Sequence, residues 1–180
     1  MTSGTVSLQQ LNDWLARFSL LIADPPIGHP AQDARLTHGM AAVVAKVSIA
    51  PQTETVEGYF RAVGMTLVES AGGGEGTLYG TFFLRLGMGG GPVATLDAGA
   101  LGRALRAGLE GVVARSGASP EVETMSSAID AYNESVAGGA AASVAASAAS
   151  AAVDRGDTQA PSVALLFHAL AAALTHRELP

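Results

Sequence analysis

The sequence predicts an all-α protein, a barrel or bundle of eight antiparallel helices. Hydrophobic residues make up 48% of the 180 residues, whereas aromatic residues make up only 5%. Much of this apolar content is alanine, the best helix former, and runs of bulky β-branched residues are few. Eight segments carry helical spacing or helix caps, and mostly short connections join them. Short connections make neighbouring helices antiparallel.

Caps and turn residues delimit the first four predicted helices. Ser7-Leu-Gln-Gln10 is a capping box that opens the first one, and Asp24-Pro-Pro ends it. The segment 72-GGGEG-76 is expected to lie outside any helix, because glycine disfavours helix interiors. The four helices are expected from Ser7 to Asp24, from about Thr37 to Val47, from Thr53-Glu54 to the glycine segment, and over 77-TLYGTFFLRLG-87.

The last four predicted helices follow the same signals. Gly117 is the expected stop of the fifth helix, and Ser119-Pro120-Glu121 is typical of a helix start. The alanine-rich seventh segment is interpreted as a tightly packed helix of small residues. The four are expected from about Asp97 to Arg115, from Ser119 to about Val136, over 140-AAASVAASAASAAV-153, and from Pro161 to about Arg177.

Composition excludes several classes of function. The net charge of −6 and the lack of a basic stripe argue against nucleic acid as a partner. The chain has no cysteine, which excludes disulfides and thiolate metal sites. Its most apolar stretch, 163-VALLFHALAAAL-174, is too short to span a bilayer. With no signal peptide recognised at MTSGTVSLQQ, the sequence predicts one cytoplasmic domain over residues 1–180 and no membrane partner, with homo-oligomerisation left open.

The most specific segment is 64-GMTLVESAGGGEGTLYGTFFLR-85, a helix, a glycine loop and a second helix. A loop without Cβ atoms lets backbone N–H groups approach an anion, and the helix that follows adds its positive end. Glycine loops also serve as plain sharp turns, so the bare pattern leaves both interpretations open.

The pattern GMTL…S-x-GG-x-x-G-x-L-x-GTFF resembles the nucleotide-binding L subunit of dihydroxyacetone kinases, the DhaL type. Further matches are Thr124-Met125, which align with the family's G-x-K-T-M segment, and residues 157–163, which align with its D-P-G-A-x-S run. The resemblance implies a barrel of eight antiparallel helices. The nucleotide-site positions that it implies are Gly72, Gly73, Gly74, Gly76, Thr77, Thr124 and Met125.

The resemblance also implies a metal loop, which this chain retains only in part. The family's D-x-x-I-G-D-x-D-H-G loop supplies three aspartates that hold two magnesium ions against the nucleotide phosphates, while a partner K subunit holds dihydroxyacetone. The matching segment here is 24-DPPIGHPAQDARLTHG-39. Asp24 keeps the first ligand position, but His29 and Ala31 replace the other two aspartates. Imidazole suits softer metals than magnesium, so no metal is expected.

Three further departures affect the same ligand. Glu75 replaces the family's serine in the glycine loop, and its carboxylate would repel phosphate. Glu123 replaces the lysine before Thr-Met, which reverses a charge. The family's arginine-containing lid is missing, because Arg155-Gly156 runs straight into Asp157.

Three hypotheses follow. The first is a degenerate DhaL-like protein that binds no cofactor and acts as a binding or regulatory module with a DhaK-like subunit or another protein. The second is an active kinase subunit that uses magnesium and ADP or ATP. The third is a metal-independent enzyme that applies acid–base chemistry to a small molecule in the former nucleotide cavity. Its candidate catalytic residues are His29, His38, Asp33, Glu75 and Arg35.

Simpler roles remain open for the same residues. His29 and His38 are typical of solvated loop or helix-end histidines, and Glu75 fits the first turn of a helix, where an acid is favoured. Asp24 fits the start of a turn. His168, among leucines, is expected to be a hydrogen-bonded histidine of the core or its rim.

Overall fold

The computed structural model describes residues 4–27, 32–49, 54–155 and 159–175. These residues form eight helices and one two-residue antiparallel ladder, in which β1 (Val6–Ser7) pairs with β2 (Thr95–Leu96). The all-α prediction is confirmed, while the ladder was not predicted. The helices are α1 (Leu8–Ala23), α2 (Ala34–Ile49), α3 (Val56–Ser70), α4 (Gly73–Gly90), α5 (Ala98–Ser116), α6 (Pro120–Ala137), α7 (Ala142–Asp154) and α8 (Pro161–Thr175).

Several helix starts follow the predicted caps. The Ser7 side chain accepts from the amide of Gln10, and the Gln10 side chain accepts from the amide of Ser7, so the capping box is present. Asp97 caps α5 and Ser119 caps α6 in the same way. Each cap satisfies an N-terminal amide that has no partner within its own helix.

Some predicted bounds were wrong. Helix α2 begins at Ala34 instead of Thr37, because the Asp33 side chain accepts from the amide of Arg35 at 2.7 Å and so caps an earlier turn. Helix α3 begins at Val56, since the Thr55 side chain accepts from the amide of Gly58. Helix α7 begins at Ala142, two residues later than the predicted start at Ala140. The predicted end of the last helix at Arg177 lies outside the described residues.

The largest error concerns α4, which starts at Gly73 inside the glycine segment and continues to Gly90. Its glycines permit close contact with α3. A Cβ on Gly76 would lie 2.6 Å from that of Ala71, and a Cβ on Gly80 would lie 2.6 Å from a Val68 methyl. Close packing therefore stabilises a helix whose glycines have poor intrinsic helix propensity.

Each helix packs against its neighbour in the chain, and α8 packs against α1, so the eight helices form a closed ring. The Trp14 indole N–H donates to the Leu166 carbonyl at 2.9 Å and links the first helix to the last. Trp14 also makes edge contacts with Phe60 and Phe83. The core thus lies inside the ring, where α1, α3, α4, α6 and α8 contribute its largest side chains.

The alanine-rich segment forms α7, as predicted, and its inward face is made of small residues. Ala145, Ala146 and Ala149 are fully buried between α6 and α8. Within the described residues, no helix combines the length and apolarity needed to cross a membrane.

Candidate ligand site

The candidate site lies at the N-terminal end of α4, which has no side-chain cap. Gly72 and Gly73 have φ angles of 57° and 67°, a region that glycine adopts without strain. Gly72, Gly73 and Gly74 are exposed, and a Cβ on Gly72 or Gly74 would meet nothing within 4 Å. The first amide groups of α4 are therefore open to an approaching ligand.

Glu75 lies in this first turn, and its side chain points towards the start of α8. Its Oε1 accepts a long hydrogen bond of 3.4 Å from the Ser162 hydroxyl. Ser162 in turn accepts a bond of 2.7 Å from the hydroxyl of Tyr79, which is fully buried. Glu75 Oε2 is buried and has no hydrogen-bond partner among the described residues. The three side chains thus form a chain of hydrogen bonds that ends in an unsatisfied carboxylate oxygen.

The electrostatic environment raises the pKa of Glu75. Burial is the largest cause, because it disfavours the charged form, and the negative charge of Asp33 adds to it. The hydrogen bond from Ser162 acts in the opposite direction, and the charge of Glu121 raises the pKa slightly further. Acidic groups from α4, α6 and the start of α2 therefore influence one another at this end of the ring.

The start of α2 brings two of the other candidates to the same place. Asp33 caps α2 and is exposed. The Arg35 guanidinium lies over Gly73, where an added Cβ would be 2.9 Å from its Nη1. His38 is exposed one turn further along α2. Asp33, Arg35 and Glu75 thus lie at the same end of the ring, while His29 lies outside the described residues. A catalytic role for any of these residues stays a prediction.

The positions implied for nucleotide binding differ in their environments. Gly72, Gly73 and Gly74 are open, whereas Gly76 is buried against α3 and Thr77 is partly buried. On α6, the Thr124 hydroxyl donates to the Pro120 carbonyl at 2.8 Å, and Met125 is fully buried in the core. Their assignment to a nucleotide site stays a prediction.

Asp24 is exposed at the C-terminal end of α1, where its amide donates to the Leu20 carbonyl. The part of the chain that the structure describes contains no group of three His, Asp or Glu side chains that could share a metal ion. The two positions at which the metal-loop aspartates are replaced, His29 and Ala31, lie outside that part.

Two polar residues of this end were missed as candidates, Ser162 and Tyr79. Ser162 lies in the 157–163 segment that matched the family, and this match could have marked it as a candidate. No sequence pattern, however, linked Ser162 to Glu75 or Tyr79.

His168 of α8 lies near the C-terminal end of α7. Its Nε2 is 2.8 Å from Asp154 Oδ1, and its side chain is 25% exposed. The prediction of a hydrogen-bonded histidine at the rim of the core is confirmed.

Comparison with known proteins agrees with the fold. Residues 34–177 match the DAK2 domain. The chain is 29% identical over 130 residues to the PEP-dependent dihydroxyacetone kinase, ADP-binding subunit DhaL, of Escherichia coli K12, covering 67% of this chain and 61% of that protein. It is 30% identical over 122 residues to the PTS-dependent dihydroxyacetone kinase, ADP-binding subunit DhaL, of Lactococcus lactis, covering 63% and 60%.

The chain belongs to the DAK2-domain family, because the match covers most of its length. The resemblance drawn from the glycine segment is therefore confirmed. The aligned region spans about 60% of the length of each of these two curated relatives.

Proposed function

We propose that this DAK2-domain protein is a binding or regulatory module that does not transfer phosphoryl groups. The observation that carries the proposal is the Glu75 carboxylate in the first turn of α4. A phosphate bound to the open amides of that turn would face Glu75 and the charge of Asp33. Like charges repel strongly where water is scarce, so both carboxylates oppose a nucleotide phosphate.

Magnesium could offset this repulsion in a site with enough carboxylate ligands, since it prefers oxygen donors in octahedral geometry. Of the three aspartate positions in the family loop, this chain keeps only Asp24. Arg35 is the one cationic side chain described at the start of α4, where the carboxylates of Glu75 and Asp33 also lie close enough to influence each other. These residues do not fit a magnesium–nucleotide complex, so no step of phosphoryl transfer is assigned to them.

A DhaK-like subunit is the partner that we propose, because both curated relatives are named as subunits of dihydroxyacetone kinases. A cytoplasmic location belongs to the same proposal, since a chain without cysteine gains nothing from an oxidising compartment.

The activity test supplies dihydroxyacetone and the Escherichia coli DhaK subunit, together with the phosphodonor system of that kinase. The matched control is the Escherichia coli DhaL subunit under the same conditions. The control should support turnover and this chain should not. Turnover with this chain, and its loss in the Asp24→Ala variant, would establish the active-kinase alternative instead.

A second candidate function rests on the raised pKa of Glu75. A carboxyl group whose pKa is raised by burial is a better candidate for a general acid than an exposed one, and the hydrogen bonds through Ser162 to Tyr79 hold Glu75 in place. This metal-independent enzyme would act on a small molecule bound between the start of α2 and the first turn of α4. A crystal structure with a small molecule at that position would support this function, whereas a crystal structure with only solvent there would count against it.

A further inference from the structure

An open groove lies on the outer face of α4 and α5, away from the first turn of α4. Its volume is about 550 Å³, which is within the range of ligand-binding clefts. Residues of both helices line it: Thr81, Leu84, Arg85, Met88, Gly111, Ala114 and Arg115. We call this feature the α4–α5 groove.

The floor of the groove is apolar because of small residues on α5. Gly111 has no side chain, and the aliphatic stem of Arg85 occupies the space that a Cβ there would need. Leu84 and Met88 lie one helical turn apart on α4 and face the same side. The groove therefore presents aliphatic carbon at its base and nitrogen at its edges.

The apolar surface continues onto α3. Leu84 packs against Gly64, and Val68 packs against Gly80, so the outward residues of α3 and α4 adjoin. Met88 is 63% exposed, Met65 is 49% exposed and Val68 is 48% exposed. Exposed methionines are common on surfaces that bind partner helices, because their flexible side chains adapt to different shapes.

Two arginines flank this surface, Arg85 and Arg115, and both are exposed. Neither forms an ion pair with a carboxylate in the described ranges, whereas Arg17, Arg61 and Arg106 each do. The chain as a whole carries a net charge of −6. The groove is thus a local site of positive charge on an acidic protein.

We propose that the α4–α5 groove binds an amphipathic helix of a partner protein that carries acidic side chains beside an apolar stripe. Apolar residues one turn apart would pack on Leu84 and Met88, as in other helix-in-groove complexes. Glutamate or aspartate on the flanks would pair with Arg85 and Arg115, since a guanidinium binds carboxylates with two parallel hydrogen bonds. An anionic membrane is disfavoured by the net charge of the chain.

The test uses two labelled helical peptides of about 18 residues. Both carry leucine at every third or fourth position, and one has glutamates on the flanks where the other has lysines. Fluorescence anisotropy measures their binding to the full chain. The glutamate peptide should bind at least about tenfold more tightly than the lysine peptide. In the R85E/R115E variant this preference should reverse, and in the M88D variant the glutamate peptide should bind more weakly.

The matched control is R103E, because Arg103 is also exposed on α5 but lines a different depression. It should leave both affinities unchanged. Circular dichroism should show the helix content of the parent chain in every variant. Equal affinity for the two peptides, no binding, or an R103E effect as large as that of R85E/R115E would overturn the proposal. So would a concentration-dependent dimer that M88D abolishes, which would assign the groove to a second copy of this chain.

Discussion

At the scale of the residue, Glu75 is a partly buried carboxyl group whose surroundings raise its pKa. Its raised folded-state pKa means that the folded protein binds a proton more readily than the unfolded chain does. The free energy of unfolding therefore falls as pH rises from the ordinary glutamate pKa through the raised value. The stability linked to this proton is fully present only below that window.

Replacing Glu75 with glutamine removes this dependence. We expect the melting temperature of E75Q relative to the parent chain to rise as the pH increases through the raised pKa of Glu75, and this advantage to be lost at acidic pH. Thermal unfolding followed by circular dichroism across this range measures the difference. The control is E123Q, because Glu123 is an exposed acid in the first turn of α6. An E75Q advantage that is independent of pH would contradict the raised pKa.

The bond from Tyr79 to Ser162 gives a second prediction at this scale. Tyr79→Phe removes a buried hydroxyl that donates at 2.7 Å, which should lower the free energy of unfolding by about 1 kcal/mol in urea titration. Tyr59→Phe is the control, because its hydroxyl donates to Asn12 over 3.2 Å in a less buried place. A larger loss in the control would show that the Tyr79 bond contributes little.

The sequence indicated single candidate residues, but not the hydrogen-bond partners that the structure gives them. Glu75, Asp33 and Arg35 were candidates because each lies in or beside a recognisable segment. Ser162 is 87 positions from Glu75 and 83 positions from Tyr79. No local pattern connects such distant residues, so only the folded ring reveals the hydrogen bonds between them.

At the scale of the element, α4 shows how packing overrides propensity. The glycines before Thr77 predicted a loop, since glycine costs about 1 kcal/mol relative to alanine inside a helix. In the structure Gly72 precedes α4 and the other three lie in its first turn, and the later glycines allow α3 and α4 to approach closely. Intrinsic preference could not anticipate this, because the compensating contacts come from another helix.

The contact between these helices can be tested at Gly64. A Cβ there would lie 2.5 Å from Leu84 Cγ and 2.8 Å from the Gly80 carbonyl oxygen, which cannot move without shifting the helix. We expect Gly64→Ala to lower the free energy of unfolding by about 1–3 kcal/mol. Gly74→Ala, where an added Cβ meets nothing within 4 Å, should leave stability unchanged or raise it by up to about 1 kcal/mol. Chemical denaturation of both variants decides the point, and equal effects would contradict the packing argument.

At the scale of the whole molecule, the ring is closed by contacts between α1 and α8. Trp14 is the only tryptophan of the chain, and it is fully buried with its indole N–H bonded to Leu166. The eight-helix architecture was predictable from caps, alanine content and short connections. The closure was not, because it joins residues 152 positions apart.

We propose that residues 1–180 form one cooperative domain, and Trp14 offers a direct test. Unfolding followed by Trp14 fluorescence and by far-ultraviolet circular dichroism should give the same midpoint. Trp14→Phe should lower the free energy of unfolding by about 1–3 kcal/mol, since it removes a buried bond and leaves a cavity. Two separate midpoints in the parent chain would show that the ring consists of independently unfolding parts.

The absence of nucleotide binding is the central claim about function, and calorimetric titration with magnesium and ADP near neutral pH tests it most directly. The parent chain should show no binding in the micromolar range, because Glu75 and Asp33 oppose a phosphate at the first turn of α4. The E75S variant, which restores the serine expected in the family, should bind no less tightly than the parent chain. Micromolar binding of magnesium–ADP by the parent chain would contradict the claim.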